Sequence, residues 1–594
     1  MVSLPDLRDL RLSELTEAAQ GWAEVSNRAR AARDEVVARM INPLRDTQRS
    51  EAAKGAYRQL DRLRNNFQYV HTEAGLVQAA LNGLVEELTG PQRWLTQALQ
   101  EAQAGGLTVH DDGSVSYPAY TPAEPGAEGE PPGIREGTTA TGLFGEFERR
   151  KDAKNPYALK AREIADRIAR SLEAASAADG MYAASMRKLK AESGLDIDQS
   201  TWRDVAGDQW FLQRAANDVL RDDIPRGKSP NERRVWWDKL TQEQRNQYLA
   251  LYPEIIGNLD GIPSATRDEA NRAYLPILIA KLQAVGDPSA ATKIDGLLRI
   301  QQKLNEGSEP PMFLLAVSAE GNGRAAVAFN NPDTSQNVGV YVPGTNTRLD
   351  TSFVSGDLNR AKQIAVEAAT VDPNTTTSTI AWLGYDTPQV RGPSWSAVGD
   401  VSGTELAEQA APAFNSFMEG IGATSTYAGP NITAIGHSYG SLVIGEASQQ
   451  RPGGIPSVDN IVLVGSPGVG VDDAADLRVP KGQVFVGSSD EDIVTKLPSP
   501  DEQNLAAAAG LFGGRPDAER RIDLAGQVFD IGDDDIAFGK DPASKAFGAE
   551  RFPTGPIGHS DYFTTEEGDD QVSGDHIAAI VAGHPERVPR IPLR

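Results

Sequence analysis

The chain contains no cysteine. Disulfide bonds, thiolate catalysis and zinc or iron–sulfur sites built on cysteine are therefore excluded. Histidine is scarce, with six in 594 residues, so any chemistry that needs an imidazole can be assigned to few positions. No run approaches the roughly 18 apolar residues of a transmembrane helix, and the first residues contain neither a basic segment nor an apolar run. The sequence therefore predicts no membrane span and no conventional signal peptide, which leaves a cytoplasmic protein or one exported by another route.

Basic residues are also few relative to acidic ones. There are 58 Lys and Arg against 83 Asp and Glu, and the formal net charge is −25. Nucleic-acid binding needs clustered Lys and Arg to neutralise phosphates, so we do not expect nucleic acid to be a main partner. A chain of this length exceeds a single hydrophobic core, so we expect several domains.

The N-terminal half has a helical pattern. Apolar residues recur at alternating steps of three and four from Leu60 to Leu88, which is typical of a coiled-coil seam. A second helix-like stretch ends before Pro43, so we predict a hairpin of two long helices. The predicted domains are a helical hairpin domain at 1–114, a Pro/Gly/Glu-rich linker at 115–140, a helical domain at 141–308, and a sheet-containing domain at 309–594.

The C-terminal half has short β-rich runs. The first two predict a hairpin around Gly321-Asn322-Gly323, and helix-length segments between the later ones predict a mostly parallel sheet. The eight runs are Met312–Ser318, Arg324–Phe329, Val338–Val342, Thr379–Leu383, Ile432–Ile435, Ile461–Val464, Gln483–Val486 and Ala549–Phe552. Eight strands in this order match the count of an α/β-hydrolase sheet.

Residues Gly436-His437-Ser438-Tyr439-Gly440 fit the G-x-S-x-G pattern of a nucleophile elbow. The pattern alone is weak evidence in a chain with 57 glycines, but its surroundings strengthen it. Asn431–Ile435 predict a strand before it, and Ser441–Ala447 predict the start of a helix after it. Because a tight strand–helix turn is what presents such a serine, we interpret Ser438 as a nucleophile.

A serine needs a base, and in this fold the chain order is Ser, acid, His. Three histidines follow Ser438. His559 lies in a loop between the predicted last strand and the terminal helix, whereas His576 lies on that helix and His584 after it. We predict that His559 is the base, with His584 as the next candidate. His437 is interpreted as a packing residue because the elbow directs it away from the serine.

The acid should follow the next-to-last predicted strand, Gln483–Val486. Asp490, Glu491 and Asp492 lie just beyond this strand. We favour Asp492 because it precedes an apolar pair, and Asp490 is the alternative because it fits a G-x-x-D spacing. Glu491 should point the other way, towards solvent, if the segment is extended.

The oxyanion of a tetrahedral intermediate also needs hydrogen-bond donors. One candidate is the backbone N–H of Tyr439, directly after the nucleophile. The second should come from the loop after the third predicted strand, Val342–Thr347, where Thr345 follows Gly344. The alternative interpretation of this loop is a simple turn. These residues imply no metal and no organic cofactor.

Several longer motifs carry a family resemblance. They are Trp236–Leu240, Pro253–Pro263, Arg267–Asn271, Trp382–Pro388, the elbow at Gly436–Gly440, and His559–Phe563. Together they resemble a group of actinobacterial α/β-hydrolases long catalogued as a domain of unknown function, over about residues 205–565. The resemblance implies a triad of Ser438, an acid in Asp490–Asp492, and His559. It also implies that Tyr385 and Asp386 lie near the pocket.

The N-terminal hairpin, followed by Gly105–Val115, resembles the WXG-type hairpins of type VII secretion, although it lacks an evident Trp-x-Gly turn. The resemblance implies a protein partner for the hairpin. Residues 57–61 and 69–73 both fit a Y-x-x-x-[DE] export pattern, but about two such matches are expected by chance.

The sequence thus predicts a serine hydrolase of carboxylic esters, with small-molecule, lipid or acyl esters as candidate substrates. Two alternatives stay open. One is an amidase or peptidase with the same triad, because the elbow does not distinguish leaving groups. The other is a secreted interaction or effector protein that acts through its hairpin.

Overall fold

The structure is a computed structural model. It describes residues 1–48, 50–123, 128–139, 155–189, 197–216, 219–389, 403–497, 499, 534–564 and 572–594. The predicted domain boundary at residues 140–141 lies outside these ranges. In the described part of the chain, no helix combines enough length and apolar character to cross a membrane.

Helices dominate the first 306 residues. They are α1 (Leu4–Asp9), α2 (Leu12–Val36), α3 (Asn42–Thr47), α4 (Glu51–Ala104), α5 (Pro156–Met186), α6 (Gln199–Ala215), α7 (Val219–Asp222), α8 (Pro230–Lys239), α9 (Gln242–Leu251), α10 (Pro253–Ile256), α11 (Ser264–Val285) and α12 (Ala291–Glu306). Polar caps begin several of them: Ser229 accepts the N–H of Glu232, whose carboxylate accepts the N–H of Ser229 in return. This reciprocal capping box satisfies amides that have no partner within the helix.

The later helices are α13 (Leu358–Val371), α14 (Glu405–Thr424), α15 (Tyr439–Gln449) and α16 (Ser573–Val581). The strands are β1 (Thr108–Val109), β2 (Val115–Tyr117), β3 (Gly133–Arg135), β4 (Met312–Ser318), β5 (Arg324–Phe329), β6 (Asn337–Val342), β7 (Thr377–Leu383), β8 (Asn431–His437), β9 (Asn460–Val464), β10 (Val484–Gly487), β11 (Asp535–Ile536), β12 (Gly539–Lys540) and β13 (Glu550–Phe552).

The chain divides into two compact units. One contains Met1–Val36, Arg62–Asp223 and Gln242–Tyr252, and the other contains Val37–Asp61, Ile224–Thr241 and Pro253–Arg594. The four domain boundaries predicted from the sequence stay a prediction.

The second unit contains an eight-stranded sheet in the order β13-β10-β9-β8-β6-β7-β5-β4. Strands from β13 to β7 pair in parallel, whereas β5 pairs antiparallel with both β7 and β4. The predicted eight-stranded, mostly parallel sheet, preceded in the chain by a long helical region, is therefore confirmed. The carboxyl ends of β6, β8, β9 and β10 lie on one edge of the sheet, which is where such folds bind ligands.

Both faces of this sheet are covered by helices. Ile380 and Trp382 of β7 pack into the cluster of α14 and α15, whereas Ala381 and Leu383 pack into the opposite cluster of α11, α12, α13 and α16. All seven residues of β7 are buried. A strand buried on both faces has a continuous apolar run rather than an alternating one, which is why these runs were visible in the sequence.

Side chains from the preceding helices cover the outer edge of β4. Asp268 accepts the N–H of Leu314 at 2.7 Å, and Asn271 donates to the Leu314 carbonyl at 2.9 Å. Asn258 accepts the Val317 N–H at 2.8 Å and donates to the Val317 carbonyl at 3.1 Å. These contacts satisfy backbone groups that an edge strand would otherwise leave open.

The first unit is built around α4. Several helices contact it. Helix α2 does so through Ser26 and His71, and α6 through Trp202 and Tyr69, while α5 and α9 pack beside Gly83 and Gly75. The predicted two-helix seam is therefore wrong in detail. Leu63 of that stripe is 38% exposed, whereas Tyr69 outside it is buried, because burial on several sides replaces a single apolar stripe.

The segment predicted as a linker contains secondary structure. Strands β2 and β3 pair antiparallel, and β1 extends them to a three-stranded sheet. Val115 is fully buried in the core of the first unit. Such short strands depend on their partners, so composition alone did not reveal them.

Candidate active site

Ser438 occupies the turn between β8 and α15. Its φ is +56°, the left-handed region that residues other than glycine rarely adopt. Its N–H donates to the carbonyl of Val464 at the end of β9 at 3.1 Å, and its carbonyl accepts the N–H of Ser441 at 2.9 Å. A strained residue of this kind costs on the order of 1–3 kcal/mol and persists only where its surroundings fix it. Ser438 therefore lies at a strained turn between a strand and a helix.

His559 and Asp492 form a hydrogen-bonded pair. The Nδ1 atom of His559 lies 3.0 and 2.9 Å from the two carboxylate oxygens of Asp492. The side chain of Asp492 has no exposed area, and that of His559 is 28% exposed. Because Nδ1 donates to the carboxylate, the neutral ring carries its lone pair on Nε2, the atom that a general base uses.

Two further donors hold the Asp492 carboxylate. Tyr562 donates its hydroxyl hydrogen to Oδ2 at 2.9 Å, and the N–H of Val494 donates to Oδ1 at 2.9 Å. The Tyr562 hydroxyl in turn accepts the N–H of Ser489 at 3.1 Å. Burial raises the pKa of Tyr562 above its ordinary value, so this hydroxyl stays a donor. A buried carboxylate needs such partners to offset its lost hydration.

Ser438 and this pair both adjoin the carboxyl end of β9. Gly465 follows Val464, the residue that accepts the Ser438 N–H. A Cβ atom at position 465 would lie 2.9 Å from Oδ2 of Asp492 and 3.1 Å from Cε1 of His559. The structure thus brings Ser438, Asp492 and His559 to one edge of the sheet, although their places in the sequence are far apart.

The alternative acid and bases lie elsewhere. The side chain of Asp490 is 82% exposed and pairs with Arg594 at 2.8 Å, and Glu491 is exposed as predicted. His576 lies on α16, where its Nδ1 is 3.0 Å from the Pro553 carbonyl. His584 lies between Glu586 and Asp372, at 3.0 and 3.2 Å. None of these contacts involves Ser438.

The two candidate oxyanion donors belong to segments that meet at Ser438. Tyr439 is the first residue of α15, and the first amides of a helix have no partner within it. Across from it, a Cβ at Gly344 would lie 2.6 Å from Cβ and 3.0 Å from Oγ of Ser438. The loop that continues into Thr345 therefore touches the serine, and only glycine allows this approach.

The sequence did not identify the groups that support the pair. Tyr562 lies three residues after His559 within a motif already singled out, and that spacing was the available signal. His437, interpreted as packing, also bonds the backbone of His559: its Nε2 lies 2.8 Å from the His559 carbonyl oxygen.

Comparison with known proteins agrees with the fold. Residues 319–501 match the family model described as alpha/beta hydrolase. The chain is 29% identical over 363 residues to the uncharacterized protein Rv2079 of Mycobacterium tuberculosis, covering 55% of this chain and 51% of that protein. The chain thus spans about half the length of that relative.

Shorter relatives are covered more fully. The uncharacterized protein Rv0963c of Mycobacterium tuberculosis is 34% identical over 245 residues, which is 40% of this chain and 79% of that protein. The uncharacterized protein Mb0988c of Mycobacterium bovis matches with the same identity and coverage. The eight-stranded sheet and these actinobacterial relatives together show that the chain belongs to the alpha/beta hydrolase family.

Proposed function

We propose that this chain is a serine-dependent hydrolase of carboxylic esters, with lipid and acyl esters among its candidate substrates. Ser438 is the proposed nucleophile, His559 the base and Asp492 the acid. The observation that carries the proposal is the buried Asp492 carboxylate, 2.9 Å from Nδ1 of His559, next to a serine held at a φ of +56°. Nucleophile, base and orienting group are the three parts that this chemistry needs.

The reaction follows from these positions. Nε2 of His559 removes the hydroxyl proton as Oγ of Ser438 attacks the ester carbonyl carbon, and the N–H groups of Tyr439 and Thr345 stabilise the oxyanion. The imidazolium then gives its proton to the leaving alkoxide, which departs as an alcohol and leaves an acyl-serine. His559 next deprotonates a water, which attacks the acyl carbon. The bond from that carbon to Oγ of Ser438 then breaks, the imidazolium returns its proton to Oγ, and the acid is released. Asp492 stabilises the imidazolium throughout.

The test combines labelling and turnover of the full-length chain. The chain is incubated with a fluorophosphonate probe, and the labelled residue is identified by peptide mass spectrometry. p-Nitrophenyl esters of increasing acyl length, and matched anilides, then distinguish esterase from amidase activity. We expect label on Ser438 and hydrolysis of esters in preference to anilides.

A pair of variants controls the assay. Ser438→Ala should abolish labelling and reduce turnover by on the order of a million-fold, whereas Ser355→Ala, at an exposed serine, should behave like the parent. A parent chain that neither reacts with the probe nor cleaves any ester would refute the proposal, as would full activity in Ser438→Ala.

A further inference from the structure

The segment after β7 contacts the loop after β6. The Tyr385 hydroxyl donates to the Pro343 carbonyl at 2.6 Å. Two residues on, the Thr387 hydroxyl donates to the Thr347 carbonyl at 2.5 Å. The N–H of Asn346 donates back to the Pro388 carbonyl at 2.8 Å. Hydrogen bonds therefore hold both ends of the loop at residues 343–347 and its fourth residue, Asn346.

Tyr385 is itself held rigidly. It is 3% exposed, and its ring stacks on Trp382 with centroids 6.1 Å apart and planes inclined by 14°. Burial raises the pKa of Tyr385 well above its ordinary value, so the hydroxyl remains a donor. Trp382 lies within β7 and packs against Phe414 of α14. The loop is thus connected through one hydroxyl to the core of the sheet.

Asp386 connects the same segment to the β4–β5 turn. Its carboxylate accepts a hydrogen bond from the N–H of Asn322 at 2.6 Å. It also accepts hydrogen bonds from the two terminal guanidinium nitrogens of Arg324 at 2.8 and 2.7 Å. Arg324 lowers the pKa of Asp386 below its ordinary value, so the pair stays charged. The Asn322 carbonyl then accepts the N–H of Leu349 at 3.1 Å, two residues beyond the loop.

The loop needs such support because its own conformation is irregular. It contains no helix or strand, and Asn346 has a φ of +65°. Gly344 touches Ser438, so a shift of the loop moves the Thr345 amide relative to the serine. An oxyanion donor acts only within about 2.7–3.1 Å of the developing charge. Small displacements are therefore sufficient to weaken it.

We propose that Tyr385 and Thr387 are positioning residues that hold the Pro343–Thr347 loop so that the Thr345 amide can serve the oxyanion. This inference rests on the proposed function. Neither side chain contacts the reacting atoms. Their effect is to fix a donor before the charge develops, so that no reorganisation is needed during the reaction.

The test removes each hydroxyl alone. Tyr385→Phe and Thr387→Val keep the shape of the side chain. Ser378→Ala is the matched control, because Ser378 is a buried residue of the preceding strand β7 whose hydroxyl donates to the Asn330 carbonyl at 2.9 Å. For each variant, kcat and KM are measured on a p-nitrophenyl ester and on its thionoester. Hydrogen exchange at residues 346–347 is measured in parallel.

We expect Tyr385→Phe to lower kcat on the ester by about tenfold or more with little change in KM, since removing a whole oxyanion donor costs 10²–10³-fold. The thionoester rate should fall less, because sulfur gains less from the N–H donors, so the ester-to-thionoester ratio should drop. Thr387→Val should act in the same direction, and exchange at 346–347 should accelerate in both variants. Ser378→Ala should keep the parent ratio.

Three outcomes overturn the inference in distinguishable ways. If the parent hydrolyses esters and Tyr385→Phe retains its kcat, ratio and exchange rates, the positioning role is wrong and the proposed function stands. An equal fall on both substrates, matched by Ser378→Ala, would assign Tyr385 to stability alone. If the parent neither labels nor turns over, the proposed function fails and the inference fails with it.

Discussion

Nε2 of His437 lies 2.8 Å from the carbonyl oxygen of His559, and the two imidazole rings stack with centroids 4.9 Å apart. A carbonyl can only accept, so Nε2 of His437 carries the hydrogen. Burial lowers the pKa of His437 well below its ordinary value, so the ring is neutral. The residue before the proposed nucleophile therefore holds the backbone of the proposed base.

This contact predicts a graded response at position 437. His437→Phe keeps a ring but removes the donor, and should lower kcat by about tenfold because the His559 loop gains freedom. His437→Gln restores an amide donor at a similar reach and should recover much of that loss. Steady-state kinetics on one ester give the comparison. Equal activity of the parent and His437→Phe would show that the bond does not matter for turnover.

The identity of the base can be tested with three alanine variants. His559→Ala should lose nearly all turnover, since a serine without its base is barely nucleophilic at neutral pH. His576→Ala and His584→Ala should stay within a few-fold of the parent, because their rings bond Pro553, Glu586 and Asp372. Ester hydrolysis is measured beside thermal melts. An inactive, folded His584→Ala with an active His559→Ala would reverse the assignment.

The two candidate acids can be separated in the same way. Asp492→Asn should reduce kcat by about 10³–10⁴-fold, because the amide no longer stabilises the imidazolium. Asp490→Asn is the matched control: its side chain is 82% exposed and pairs with Arg594, and exposed ion pairs contribute about 0–1 kcal/mol. The measurement is kcat at constant pH for both. Comparable losses in the two variants would contradict the assignment.

Glu73 gives the first unit a pH-dependent stability. Burial, and then Asp208 and Asp204, raise the pKa of Glu73 to about 8, against 4.5 ordinarily. Between pH 4.5 and 8 the folded state thus binds more protons than the unfolded chain. The contribution of Glu73 to the free energy of unfolding is therefore complete below this pH range and is lost as the pH rises through it. The free energy of unfolding should therefore decrease by on the order of 3 kcal/mol from pH 5 to pH 8.

Glu73→Gln should remove much of this dependence. The variant should melt above the parent at pH 8 and close to it at pH 5, since glutamine mimics the protonated carboxyl. Glu17→Gln, at an exposed glutamate, should follow the parent at every pH. Melting followed by circular dichroism across this range is the measurement. Parallel curves for the parent and Glu73→Gln would exclude Glu73 as the source.

The strands of the sheet could be predicted because a strand that is buried on both faces has a continuous run of apolar residues. The predicted strand at 379–383 matches β7 except for its start, where Thr377 and Ser378 are polar but buried. A hydroxyl that bonds backbone, as Ser378 does, is invisible to a pattern of apolar residues. Likewise, the heptad pattern did not predict which residues of α4 are buried, because several helices surround α4.

The candidate site also has one part that the local sequence predicted and another part that it did not. The turn at Ser438 is local, so a strand, a short motif and a helix predicted it. The hydrogen bonds of Tyr562 and Tyr385 reach partners 70 and 42 residues away. Such bonds follow from the folded arrangement of strand ends, and no spacing along the chain encodes them.

The polar edge of β4 has a consequence for how this protein can be divided. Asn258, Asp268 and Asn271 perform with side chains what a neighbouring strand would perform with its backbone. They act as a substitute for a ninth strand. A cut at the start of β4 would remove that substitute and leave a row of open amides and carbonyls, a template on which two copies can join. The segment from residue 253 to 271 therefore shields this edge from pairing with a strand of another molecule.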